Sequence, residues 1–152
     1  MPQSLAAIYI HLVFSTKNRA PVLMPAMLGD LHGYCAGTLA GLDCAPIQVG
    51  GVSDHVHALF RMNRTSPLAN IVRDVKIATS KWIKENGRRS ETKEFHWQTG
   101  YGAFSVSHSN VPEVKKYILG QAEHHKHITF QDEMRRFLER HEIEYDERYV
   151  WD

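Results

Sequence analysis

The chain reads as an α+β protein: a two-layer α/β sandwich with one antiparallel sheet and helices on one of its faces. Two observations predict this. Four short stretches have apolar residues at strand spacing, and four longer ones repeat them at helical spacing. These stretches follow one another as β-α-β-β-α-β-α-α, the order of a ferredoxin or RNA-recognition fold. At 152 residues the chain is a single domain, 1–152, large enough to bury a core without disulfides or a structural metal.

Each element has its own warrant. Residues 6–15 alternate Ala6, Ile8, Ile10, Leu12 and Phe14 with Tyr9, His11 and Val13; both faces are largely apolar, as in a central strand. Residues 24–42 are helical, because Met24, Met27, Leu28, Leu31, Cys35, Leu39 and Leu42 fall on one stripe. Residues 45–50 and 55–62 are strands around a turn that holds Gly50, Gly51 and Ser53. Residues 67–85 form the clearest helix, with Leu68, Ile71, Val72, Val75, Thr79, Trp82 and Ile83 inward. A polar loop, 86–94, follows. Residues 102–107 are the next strand, after Gly100-Tyr101-Gly102. Residues 111–126 form a helix with Pro112 in its first turn and Asn110 and Glu113 at capping-box spacing. The last helix, 130–141, turns Phe130, Met134, Phe137 and Leu138 inward, and with the aromatic, acidic tail it makes up 129–152.

Two short signals carry chemistry. Side chains alternate along a strand, so His55 and His57 project together, about 7 Å apart at the backbone, while Val56 faces the core. Two neutral imidazoles so placed can share a divalent ion; two histidines on a half-exposed strand with no ligand is the bland alternative. Tyr117 and Gln121, four apart, share one helix face at the edge of an apolar stripe. A tyrosine there commonly packs with its hydroxyl in water. To act as a nucleophile it needs help, because phenol is protonated near neutral pH. A cation that polarises a target phosphate provides that help, and the Gln121 amide oxygen can complete the ion's shell.

The residues resemble a known family. His55-Val56-His57 matches the His-hydrophobic-His signature of HUH endonucleases, and the chain is similar to the single-tyrosine transposases of small insertion sequences. The likeness runs through Tyr9 to Arg19, Gly50 to His57, Trp97 to Ser107, Tyr117-Ile118 through Gln121, His124-His125 and Phe130 to Glu133. It departs at Leu119-Gly120, where the family often has Glu-Asn. The resemblance implies Mg²⁺ or Mn²⁺ on His55, His57 and Gln121, with Tyr117 attacking single-stranded DNA to leave a 5′-phosphotyrosine and a free 3′-hydroxyl. It also implies insertion-sequence ends folded as hairpins, and a homodimer whose active sites are shared between chains in many members.

Charge adds a little. The net charge is +1, but residues 1–129 carry 14 Lys and Arg against 9 Asp and Glu, and residues 130–152 carry 4 against 8. A basic body with an acidic tail is compatible with DNA contact on the body. The candidate contacts are Lys17, Arg19, Arg73, Lys76, Lys84 and Tyr101, with Arg88 and Arg89 nearby; Tyr101 suits base stacking, whereas Trp97 and Phe104 read as core. His124, His125 and His127 read as solvated helix residues, and Cys35 and Cys44 as packing. No secretory leader or membrane-length apolar run appears, so a cytoplasmic protein without membrane contact is expected. Four rivals stay open: a domesticated repeat-associated transposase with the same chemistry, a plasmid-type replication initiator or relaxase, which usually has a longer chain, a non-catalytic RNA-recognition-like module, and a metal-dependent phosphohydrolase that uses water and never traps DNA.

Overall fold

The computed structural model describes residues 2–87 and 90–152, so Arg88 and Arg89 lie outside the described residues. Four strands, β1 (Tyr9–Ser15), β2 (Ala45–Val52), β3 (His55–Arg61) and β4 (Gly102–Val106), form one sheet in the order β2-β3-β1-β4, with every pairing antiparallel. The α+β class and the antiparallel sheet are as the sequence predicts. β1 begins at Tyr9, three residues later than expected, because its last rungs are Tyr9 against Arg61 and Val106. The preceding segment is strapped instead by Arg61, which donates to the Ala6 carbonyl at 2.6 Å, and by Arg64, which donates to that of Ser4.

Alternation along β1 divides the core in two. Ile10, Leu12 and Phe14 face helices α1 (Pro25–Gly41) and α2 (Leu68–Asn86), together with Val56, Ala58 and Phe60 of β3. Both cysteines are buried in this layer and unpaired, and burial pushes the Cys35 thiol up to about 12. Trp97 is core, as expected; its indole donates to Thr79 Oγ1 at 3.0 Å.

The expectation of helices on one face holds for α1 and α2 alone. The opposite face is covered by α4 (Val111–Leu119), α5 (Gln121–His124) and α6 (Phe130–Arg140), where Val13 and Phe104 pack on Phe130, Met134 and Leu138. The reason is compositional: this face of the sheet presents His11, His57 and His55, and polar groups in a covered layer need partners that helices can bring. A short helix, α3 (Ser90–Lys93), stands where a polar loop is expected.

The helix expected over 111–126 is two pieces. Gly120, the poorest helix former short of proline, has φ −89° and ψ 11°, and its N–H is shared between the Lys116 and Tyr117 carbonyls at 3.1 and 3.2 Å. The expected capping box is not made: Asn110 ends a 3₁₀ turn (His108–Asn110) with helical backbone angles, and its side chain does not cap. Thr129 does cap α6, accepting from the Asp132 N–H at 3.1 Å. No helix among the described residues is long and apolar enough to cross a membrane.

Candidate active site

Backbone geometry sets the site. Gly51, at φ +149°, and the turn after it reverse the chain so that β3 starts on His55. His55 and His57 then lie on the covered face, both fully buried, with ring centroids 5.1 Å apart. Opposite His57 on β2 stands Gly50, where a Cβ would meet Ile118 Cγ2 at 2.8 Å and the Ile118 carbonyl oxygen at 2.9 Å. A hydrogen at that position is what seats α4, and with it Tyr117, against the sheet.

Each imidazole is held from behind. His55 Nδ1 donates to Asp54 Oδ1 at 2.6 Å, which aims Nε2 at Gln121 Oε1, 2.9 Å away. His57 Nε2 donates to Glu133 Oε1 at 2.8 Å, and its Nδ1 accepts from His11 Nε2 at 2.7 Å. Burial pulls the His55 imidazole down, but Asp54 and Glu133 outweigh it and hold it up at about 9. Burial takes His57 down to about 4, and His11, buried beside His57, is also well below its usual value.

Glu133, on α6, is the hub. Besides His57, its carboxylate accepts from Gln121 Nε2 at 3.0 Å, His125 Nε2 at 3.1 Å and the Tyr117 hydroxyl. Burial acts to raise its pKa, but the bonds from His125, His55 and His57 hold it well below the carboxylate range. Tyr117 is pushed up from its usual value, by burial and then by the Glu133 charge, so it rests as a phenol. His124 Nε2 donates to the Tyr117 oxygen at 3.1 Å.

All four site residues taken from the sequence, His55, His57, Tyr117 and Gln121, therefore meet in one place, and in one chain. Five others come with them. His125 is a correction: it is buried against Glu133, with Ile128 O on its other nitrogen at 2.8 Å, because the chain turns back there into α6. His124 is half-buried on Tyr117, and only His127 is solvated. Asp54 and His11 act behind the histidines. Two sequence signals point to Glu133: it ends the Phe130 to Glu133 stretch of the family likeness, and it sits within the apolar stripe of α6, three residues after Phe130 and next to Met134.

The donors suit a divalent ion. Ligand atoms of His55, His57, His125 and Glu133 lie within 4.8 Å of one another, and Gln121 Oε1 adjoins them. Asp54, which accepts from His55 Nδ1, provides the outer-shell bond that orients a metal-ligating imidazole.

The expected DNA contacts lie elsewhere. Lys17 and Arg19 occupy a turn after β1, where Arg19 sits over the Trp151 ring. Lys76 donates to the carbonyls of Gln98, Thr99 and Gly100 at 2.8, 3.2 and 2.6 Å, so its ammonium fastens a loop. Exposed Tyr101 is 5.8 Å from it, Arg73 pairs with Asp74, and Lys84 lines a shallow groove with Lys81. None of them enters the cleft of about 700 Å³ onto which Tyr117 opens, between α4 and α6.

Comparison with known proteins follows this geometry. Residues 4–121 match the family model described as "Transposase IS200 like". No curated protein matches. Among solved structures, a protein assigned as a transposase from Deinococcus radiodurans R1 is similar at a TM-score of 0.63 and 18% identity, over 80% of this chain and 95% of that one. A REP-associated tyrosine transposase bound to a REP hairpin is similar at a TM-score of 0.60 and 10% identity, over 84% of this chain and 74% of that one. Identities this low speak to the fold.

Proposed function

Because this chain belongs to the IS200-like transposase family, we propose that it cuts and rejoins single-stranded DNA through a covalent bond to Tyr117. The observation that carries this reading is the convergence, in one cluster, of a tyrosine hydroxyl, two strand histidines, Gln121 and Glu133, of which Tyr117 and Glu133 line an open cleft. A phosphohydrolase needs no tyrosine there, and a binding module needs neither the tyrosine nor the ligand set.

Mn²⁺ or Mg²⁺, held by His55, His57, Gln121 and Glu133, supplies polarisation of the scissile phosphate and offsets the Glu133 charge. The chain does the rest. Tyr117 points its proton at Glu133, so an acceptor is in place when its oxygen attacks phosphorus. The new bond joins Tyr117 Oη to the 5′-phosphate; the bond from phosphorus to the 3′-oxygen breaks, and that oxygen leaves as a hydroxyl. A second 3′-hydroxyl reverses the step and joins new ends, with no external energy source. Single-stranded ends folded as hairpins are the substrate, and a homodimer is the working assembly.

The test is denaturing electrophoresis after mixing the protein with Mn²⁺ and labelled single-stranded DNA from the flanks of its own gene. Wild type gives a protein-linked band that EDTA abolishes. Tyr117→Phe, which removes one hydroxyl and little volume, gives none while still binding the DNA. An adduct in Tyr117→Phe refutes the nucleophile, and a band that survives EDTA refutes the metal.

A further inference from the structure

We infer that the cleft between α4 and α6 is a track for the DNA strand beyond the cleaved phosphate, and that Arg136 and Arg140 grip its backbone. The inference rests on the covalent-tyrosine reading above, and it concerns residues outside 4–121, the span matched to the family.

The cleft opens directly onto Tyr117 and Glu133, and its α6 wall carries Arg136 and Arg140. These are four apart, on one face of the helix and one turn from each other. Lys116 faces them from the α4 wall. Both arginines are exposed, and neither makes a hydrogen bond or ion pair among the described residues. That contrasts with Arg135, their neighbour, which is tied to Asp132 and Glu147, and with Arg148, which is tied to Asp146. The lining sets Arg136, Arg140 and Lys116 against exposed Glu113 and the buried, fully bonded Glu133, and two guanidiniums without a partner among the described residues leave the cleft open to an anion.

Direction also follows. α6 starts with Phe130 on His55 and ends with His141 on Phe104, at the His11 end of the sheet. Glu133, Arg136 and Arg140 therefore lead away from the reacting centre a turn at a time. Lys17 and Arg19 lie at the other end of β1, past Ser15, which pairs with His55. The reacting phosphate thus lies between two cationic ends, and the α6 pair takes one flank. Guanidinium forks match phosphate oxygens.

The experiment is fluorescence anisotropy of labelled oligo(dT) with the full chain over a salt series. Arg136→Gln, Arg140→Gln and the double variant are compared with wild type and with Arg148→Gln, which removes the same charge as either single variant but outside the cleft. Each backbone contact on a single strand contributes about 0.7 to the slope of log affinity against log salt. The double variant is expected to lose about 1.4 of slope and on the order of tenfold in affinity at low salt, whereas Arg148→Gln matches wild type. Lys116→Gln, on the opposite wall, is expected to lose about half that slope. Unchanged slope and affinity in the double variant, with an unchanged melting temperature, overturn the track. So does an equal loss in Arg148→Gln, which marks bulk charge. Adduct formation by wild type is scored separately: without it the covalent reading fails, and an intact adduct with an unaffected double variant fails the track alone.

Discussion

Two glycines, one on β2 and one between α4 and α5, should answer the same substitution with opposite signs. At Gly50 an alanine Cβ falls 2.8 Å from Ile118 Cγ2 and 2.9 Å from the Ile118 carbonyl oxygen. The side-chain contact can be relieved by rotation, but the carbonyl belongs to the α4 backbone, so the helix must lift. Overpacking of this kind costs about 1–3 kcal/mol. For a domain of this size that lowers the melting temperature by roughly 2–12 °C. At Gly120 the nearest atoms to an added Cβ are the Lys116 and Tyr117 carbonyl oxygens, at 3.6 and 3.7 Å. That is ordinary contact, and φ is negative there. Gly120→Ala then gains up to about 1 kcal/mol of helix propensity, and roughly 2–4 °C. Thermal melts by circular dichroism read both changes. Cleavage separates them further: lifting α4 moves Tyr117 from His57, and a misplacement near 1 Å costs about 10²-fold, so Gly50→Ala is expected to fold and cut poorly. Gly120→Ala is expected to keep its cleavage, since Tyr117 already reaches the cluster. A Gly50→Ala protein that melts and cleaves like wild type would refute the seating of α4 on β2.

Three further outcomes are expected. Asp54→Asn removes the charge behind His55 and should weaken Mn²⁺ binding about 10–100-fold by titration calorimetry; an unchanged affinity removes Asp54 from the site's support. His32, whose Nε2 is buried without a partner among the described residues, is drawn by burial down to about 4. Its neutral form is favoured by folding, so the stability it gives is present above pH 6.5 and is lost as pH falls from there toward 4. For this half-buried ring the loss between pH 7 and 5 is about 1–2 kcal/mol, and His32→Gln should lose that much less on acidification in urea melts, the other histidines cancelling in the difference. Finally, His57→Ala mixed with Tyr117→Phe should not recover cleavage after subunit exchange, because one chain already assembles the whole site; recovery would show that Tyr117 serves the partner's histidines.

The strands, the main helices and four of the residues at the centre were legible in the sequence because each rests on local periodicity. Period two put His55 and His57 on one face, and a separation of four put Tyr117 over Gln121. What periodicity cannot give is which face of a sheet a later helix covers. α4, α5 and α6 return to the face opposite α1 and α2, and only that return buries His125, brings His11 behind His57 and turns Glu133 into the shared acceptor of four donors. The same holds for the cations. Lys76 reads as a free charge on a helix face, yet the loop at 98–100 claims its three protons, while Arg136 and Arg140, in the acidic C-terminal stretch, line the cleft without a partner among the described residues. Local sequence determined which groups share a face. Long-range packing decided which of them became buried, because desolvation and the partners that offset it come from chain segments 46 to 76 residues away.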